Sequence, residues 1–264
     1  MHIVVIITGF VLSLLPAAPA CSHSQACPAA CRHAEPSDVN DLEVVLQNLQ
    51  EKAERLEAFQ AKLDYVVRQP LLESQQRRQG HLYYAKRDGR STLRINFRTL
   101  QQDDEPAQDY REQFLFDGVW LWHIDYQTER VERRQMTEPN EPVDAFALAS
   151  RHVPVVGFSR VEDLHEQFDI RLISEPNSSE YQHLRLETRP DSVYKDDYTT
   201  IDFWVDEKLG LPTRIVAVTT EEDVHEIALL EPEINGLIDP QVFRVDVPRG
   251  FSVEVIPLDR TVPK

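Results

Sequence analysis

The sequence predicts a mainly β protein of the α+β class. We expect a curved antiparallel sheet of about ten or eleven strands, an incomplete barrel with an N-terminal helix and short lid helices. Three observations predict it: short segments alternate apolar and polar residues, tight turns join most of them, and one amphipathic segment with helical spacing precedes them. Sequential strands joined by tight turns pair as antiparallel neighbours, and a twisted sheet of this width tends to curl.

The N-terminal residues 1–20 are typical of a secretory signal peptide. An apolar run from Ile3 to Leu15 is too short to span a bilayer, and Ala-Pro-Ala follows at residues 18–20 as a small-x-small cleavage pattern. Residues 21–39 are rich in Ala, Pro, Ser and Cys and are expected to form a flexible tether. Residues 40–264 are expected to form a single domain. The sequence therefore predicts an exported protein, either periplasmic or membrane-anchored.

The three cysteines lie in this tether. Cys21 would be the first residue after cleavage, which makes it a candidate for the lipid-bearing cysteine of a bacterial lipoprotein; ordinary cleavage without lipidation is the alternative. In an oxidising compartment, Cys27 and Cys31 can close a disulfide. Together with His23 and His33 they can also bind a metal, but their spacing fits no standard zinc pattern. We therefore expect no bound metal.

Charge and motifs exclude several functions. The formal net charge of −17 argues against nucleic acid or an anionic membrane surface as the main partner. The sequence has no H-E-x-x-H zinc motif and no glycine-rich phosphate loop, and residues 157–161 lack the second Gly of a nucleophile elbow. We therefore expect no catalytic residues and no cofactor.

The domain is predicted to begin with a helix and a strand. Asn40 and Glu43 resemble a capping box, and apolar residues recur at helical spacing over residues 42–56, which predicts about four turns. Residues 59–67 then alternate apolar and polar side chains, which is the period of a strand with one buried face.

Two hairpins are predicted next. Residues 81–86 and 92–98 flank an Arg-Asp-Gly-Arg turn, with Leu93, Ile95 and Phe97 expected to face inward. The next hairpin lies within residues 110–126, where Asp-Gly at 117–118 predicts a two-residue turn.

The second hairpin is apolar on both faces near its tip. The predicted turn places Phe114 with Leu121 on one face and Leu115 with Trp120 on the other. Because an antiparallel sheet with one wet face would alternate more cleanly, the hairpin either packs on both sides or turns one face toward a cavity.

The remaining chain is predicted to return to the sheet. A polar strand at residues 129–135 precedes a proline-framed segment, 137–159, and a short helix from Arg160 to Glu166. These pieces are expected to cover one face of the sheet. Strand patterns resume between Phe168 and Leu230.

The order of these features resembles the periplasmic lipoprotein-carrier family of LolA and LolB over residues 40 to 256. The resemblance rests on the leading helix and strand, on GHLYY at residues 80–84 with Lys86-Arg87 after it, on FDGVWLW at 116–122, and on the segment 205–212. The closing run FRVDVPRGFSV at residues 243–253 is similar to the family's F-x-F-x-x-P-x-G-V pattern.

The resemblance implies an incomplete barrel whose concave apolar face is lidded by helices and holds acyl chains. Lys86 or Arg87 matches the family's lid-holding arginine, although Asp88 stands where the family has proline. The residues expected to line the ligand are Leu93, Ile95, Phe97, Phe114, Phe116, Trp120, Leu121 and Trp122.

Two functions from different classes follow. The first is non-enzymatic binding and transport of lipoprotein acyl chains or similar amphiphiles in the bacterial envelope, as in outer-membrane lipoprotein sorting. The protein is expected to be a monomer. The alternative is an envelope-stress sensing or scaffold module with the same fold that binds a protein partner.

Overall fold

The computed structural model describes residues 36–87, 89–143, 145, 161–174 and 180–258, all within one compact unit, Glu35–Lys264. The described chain forms an open, curved, twelve-stranded sheet with few helices, which confirms the predicted fold class with one strand more than expected. The helices are α1 (Pro36–Glu54), α2 (Val161–Gln167) and one-turn 3₁₀ helices at Pro70–Leu72 and Pro240–Phe243. The strands are β1 (Ala58–Gln69), β2 (Ser74–Arg87), β3 (Arg90–Gln102), β4 (Gln108–Phe116), β5 (Trp120–Asp125), β6 (Arg130–Gln135), β7 (Phe168–Ile173), β8 (Tyr181–Thr188), β9 (Tyr198–Asp206), β10 (Leu211–Thr219), β11 (Val224–Ile234) and β12 (Ser252–Ile256).

Two meanders build the sheet. β1 to β6 pair in sequence, the chain then passes to the opposite edge, and β7 to β11 return until β11 pairs with β1. β12 adds to the free edge of β6 in parallel orientation. This parallel pair was not predicted, because it joins segments that no tight turn connects.

Helix α1 packs on the face that we call the inner face of the sheet; the other is the outer face. Val45, Leu46 and Leu49 are buried against it, with Leu46 fully inaccessible. The helix begins at Pro36, four residues before the predicted capping box. Proline favours the first helical turn, because its ring presets φ and its missing N–H would have no partner there.

One apolar core lies between the inner face and the helices. Both meanders contribute to it: Phe59 comes from β1, whereas Phe203 and Ile215 come from β9 and β10, and each is at most 1% exposed. Leu164 of α2 is buried in the same cluster. The predicted two-face alternation of the strands therefore produces one continuous core.

The tip of the β4–β5 hairpin differs from the prediction by one residue. Phe116 pairs with Leu121, so the two central turn residues are Gly118 and Val119 rather than Asp117 and Gly118. The Asp117 Oδ1 accepts hydrogen bonds from the backbone N–H groups of Val119 and Trp120 at 3.1 and 2.8 Å. Gly118 has φ +93°, which suits the first central position of a type II′ turn. The assignment of residues to the two faces is unchanged.

Residues 235–251 form a C-terminal strap between β11 and β12. Arg94 holds it from β3, donating from Nη1 to the carbonyl oxygens of Val242 at 2.7 Å and Arg244 at 2.8 Å. Arg94 faces away from its neighbours Leu93 and Ile95, so the strap lies against the outer face. It thereby links the middle of the sheet to the edge where β12 pairs with β6.

Candidate functional site

The strand register arranges the inner face of β2 to β5 into rows of facing side chains. The first row joins Tyr84, Leu93, Phe116 and Leu121; the second joins Leu82, Ile95, Phe114 and His123; the third joins Gly80, Phe97, Glu112 and Asp125. The face is thus apolar toward the hairpin tip and polar in its third row.

Six of the predicted ligand-lining residues share this inner face. Three are buried, with exposed fractions of 7% for Leu93, 6% for Phe97 and 3% for Phe116. The other three, Ile95, Phe114 and Leu121, are half-buried and pack against the core. These three half-buried residues form what we call the apolar patch.

The two predicted tryptophans lie on the outer face. Trp122 pairs with Leu115 and with Arg133, away from Phe114 and Phe116. The Arg133 Cζ lies 3.8 Å from the ring centroid of Trp120 and 4.7 Å from that of Trp122. A guanidinium between two aromatic faces is a cation–π arrangement. The structure therefore separates these tryptophans from the apolar patch with which the sequence analysis grouped them, because adjacent strand residues point to opposite faces.

A charged cluster marks the polar end of the inner face. Glu112, only 7% exposed, accepts a hydrogen bond from Arg78 at 3.0 Å and contacts the His123 Nε2 at 2.8 Å. The His123 ring stacks on Phe114 with centroids 4.4 Å apart, so the cluster borders the apolar patch directly. A buried carboxylate with two such partners is held in one geometry.

Tyr110, which lies beside this cluster, is neutral. Burial, with the nearby Glu112 carboxylate, raises the pKa of Tyr110 to about 12, and its ring lies 5.5 Å from the Arg78 Cζ. The ring therefore contacts the guanidinium as a neutral phenol rather than as a phenolate.

A second polar pair lies where the two meanders meet. The Tyr65 hydroxyl is 2.7 Å from the His225 Nδ1, and the two rings are stacked. Burial raises the pKa of Tyr65 to about 12 and lowers the pKa of His225. Both groups are therefore neutral at neutral pH.

The lowered pKa of His225 predicts how the stability of the protein depends on pH. Its native pKa lies below the ordinary value of about 6.5, so between the two values the unfolded chain binds more protons and the free energy of unfolding falls as the pH drops. We expect urea unfolding measured from pH 7 to pH 5 to show this decline and His225→Gln to flatten it. The control is His165→Gln, which changes a partly exposed histidine of α2. An unchanged slope in His225→Gln would contradict the assignment.

Of the two predicted lid residues, Arg87 contacts the C-terminal strap and Lys86 faces solvent. The Arg87 Nη2 donates to the carbonyl oxygen of Ile238 in the strap at 3.2 Å, and the Lys86 side chain is exposed. Sequence reasoning missed Arg94 as the main anchor of the strap, because an outward arginine on a strand looks like a solvated surface residue.

The remaining sequence predictions concern residues outside the described ranges. Cys21, Cys27, Cys31 and their neighbouring histidines belong to the part of the chain that is not described. Within the described ranges, no group of three or more His, Cys, Asp or Glu side chains is arranged to hold a metal ion. No helix within the described ranges combines the length and apolar character needed to cross a bilayer.

Comparison with known proteins gives structural likeness at low sequence identity. No protein-family model matches the chain, and no curated protein matches it. An uncharacterized conserved protein from Thermus thermophilus is 13% identical over 81% of this chain and 99% of its own, with a TM-score of 0.47. A LolA superfamily protein from Nitrosomonas europaea is 15% identical over 77% of this chain and 97% of its own, with a TM-score of 0.36.

A complex of two proteins is among the similar structures. MucB in the Pseudomonas aeruginosa MucA/MucB complex is 15% identical over 78% of this chain, with a TM-score of 0.41. The chain spans 61% of the length of that MucB structure. The structural neighbours thus include both the predicted LolA-type proteins and a protein seen with a protein partner.

Proposed function

We propose that this protein binds acyl chains of lipoproteins or similar amphiphiles in the bacterial cell envelope and carries them without catalysis. The observation that supports the proposal is the inner face of β2 to β5, where the half-buried apolar patch adjoins a core shared by both meanders. Burial of hydrocarbon is worth about 0.8 kcal/mol per methylene, so a chain of about fifteen carbons gains on the order of 12 kcal/mol before the costs of binding. An apolar surface that fits the chain and excludes water is therefore sufficient for affinity.

Sorting of outer-membrane lipoproteins is the finer form of this proposal, and the sequence resemblance to the lipoprotein carriers supports it. Release requires a change that lowers affinity, because a carrier must give up its ligand to a better site. The charged cluster of Arg78, Glu112 and His123 borders the patch and is the polar boundary of the bound chain in this proposal.

Native mass spectrometry of protein purified from its own envelope tests the function. We expect a co-purified mass of lipid or acylated peptide that leaves on delipidation and returns when a fatty acid is added. A ligand-free mass both before and after fatty acid is added would contradict acyl binding.

A second candidate function is binding of a protein partner. The observation that favours it is strand β12, which lies at one edge of the described sheet. The exposed fractions of its Val253 and Val255 are 52% and 55%. An edge strand with free backbone groups can accept another extended chain. A co-purified polypeptide without lipid in the same mass spectrum would favour this function over the first.

We also propose that Cys21 decides where the protein acts. If it carries lipid, residues 22–35, which precede α1, form a leash with a root-mean-square reach of roughly 20 Å when flexible, and the domain works above a membrane. We expect the full chain, expressed in an exporting host, to fractionate with membranes and Cys21→Ser to be released into the soluble fraction. Identical soluble fractions for both would contradict anchoring. Cys27→Ser is the matched control.

A further inference from the structure

A cavity of about 240 Å³ lies at the C-terminal end of α1. The helix end, the β9–β10 turn and the start of the C-terminal strap form its walls. Its lining residues are Lys52, Arg55, Lys208, Leu209, Leu211, Ile234 and Asn235.

The rim of this cavity is cationic in a strongly acidic protein. Three of its seven lining residues are Lys or Arg and none is acidic, while the whole chain has a net charge of −17. Arg55 pairs with Glu51 at 3.3 Å, but Lys52 and Lys208 form no ion pair with any residue in the described ranges. The two lysines therefore retain charge that an anion can neutralise.

The walls are fixed by hydrogen bonds and close packing. The Asp206 Oδ1 accepts from the backbone N–H of Lys208 at 2.9 Å and of Leu209 at 3.0 Å, which sets the turn. A Cβ on Gly210 would lie 2.7 Å from the Lys52 Cγ, so the stem of Lys52 crosses the turn where only glycine leaves room. The two lysines are thus placed on one rim by the backbone.

The strap side of the cavity is equally constrained. The Asn235 Oδ1 accepts from the backbone N–H groups of Glu57 at 2.8 Å and Ala58 at 3.0 Å, joining the strap to the start of β1. A preorganised site loses less entropy when it binds a ligand.

The floor of the cavity is apolar. Leu211 is only 1% exposed and belongs to the core, and Leu209 and Ile234 are half-buried beside it. A free inorganic anion would gain nothing from such a floor. A charged group attached to hydrocarbon would use both the rim and the floor.

A purely structural role explains part of this arrangement. Lys52 and Arg55 lie at the end of α1, where cations compensate the partial negative charge of the last carbonyl groups. That role does not account for Lys208, which lies on the separate β9–β10 turn, nor for the apolar floor.

We propose that this cavity binds the anionic head, a phosphate or carboxylate, of an amphiphile. The inference rests on the proposed function, because amphiphiles are the ligand class proposed there. It adds that the ligand is an anionic amphiphile rather than a neutral one.

The test uses three probes on the purified, delipidated protein: octyl phosphate, inorganic phosphate and uncharged octyl glucoside, each titrated by calorimetry. We expect octyl phosphate to bind more tightly than inorganic phosphate, and its affinity to fall as salt is raised. The double variant Lys52→Gln/Lys208→Gln is expected to weaken octyl phosphate roughly ten-fold and to leave octyl glucoside unchanged. Lys195→Gln, an exposed lysine outside the cavity, is the matched control.

The outcomes separate this inference from the proposed function. Equal octyl phosphate affinity in wild type and double variant overturns the head-group site, while binding of both amphiphiles still supports acyl binding. Equal affinity for inorganic and octyl phosphate would also overturn it, because the ligand would then be a free anion. If neither amphiphile binds, both proposals fail. Far-ultraviolet circular dichroism of each variant checks that folding is unchanged, which the exposure of both lysines leads us to expect.

Discussion

Phe114→Asp is expected to weaken binding of a fluorescent fatty acid roughly one hundred-fold, whereas Trp122→Asp is expected to leave it unchanged. Phe114 is a member of the apolar patch on the inner face, where it packs edge-on against Phe97 and stacks on His123. A carboxylate there would have to lose water when the acyl chain binds, and an uncompensated loss of this kind costs about 3 kcal/mol or more.

The two variants form a matched pair. Both replace an aromatic residue of the same hairpin with the same acid, and they differ in the face of the sheet that they change. The measurement is probe fluorescence titration, with thermal unfolding to confirm that each variant folds. Loss of binding in Trp122→Asp alone would place the acyl site on the outer face, and equal binding in both would remove it from this hairpin.

Gly80→Ala is expected to destabilise the fold by several kcal/mol or to prevent its accumulation as soluble protein. A Cβ at this position would lie 1.9 Å from the carbonyl oxygen of Asn96 and 2.9 Å from the Phe97 Cα. Both are backbone atoms of β3, which cannot rotate away, so the β2–β3 pair would have to separate. The site is also where the register of these strands shifts between Gln79 and Gly80.

Gly89→Ala is the control for this prediction. Gly89 lies in the β2–β3 turn with φ +74°, and a Cβ there would meet no atom within 4 Å. Only the backbone conformation is then penalised, by about 1 kcal/mol. Urea unfolding of both variants measures the difference. Similar midpoints would show that β2 and β3 do not approach as closely as described.

The sequence could predict the inner face because it depends on a local period. Leu93, Ile95 and Phe97 alternate with polar residues, and the period of two directs them to one side whatever their partners are. The face of Trp122 follows from the same period. Trp122 was nevertheless predicted to line the ligand together with residues of the opposite face, since both faces of the hairpin are apolar and composition does not say which one adjoins the helices.

Features that depend on distant partners could not be predicted in this way. The position of the turn at Gly118 is a local exception: the Asp117 side chain accepts hydrogen bonds from the next backbone N–H groups, whereas the Asp-Gly pattern predicted a turn one residue earlier. The role of Arg94 requires the strap, which is about 150 residues further along the chain. The cationic cavity combines a helix end, a turn and the strap, and no local pattern joins them.

The pairing of β1 with β11 has a consequence for how the chain acquires its structure. The start of β1 is tied to the strap through Glu57 and Asn235, which are 178 positions apart. Contacts this distant in sequence slow folding, because a long loop must close before they form. One edge of β1 pairs with β2, but its other edge has no partner strand until β11 has been synthesised. Likewise, the edge of β6 that does not pair with β5 has no partner strand until β12 follows. The first meander therefore has unsatisfied edges and an uncovered apolar surface until nearly the whole chain is available, the interval in which aggregation competes with folding.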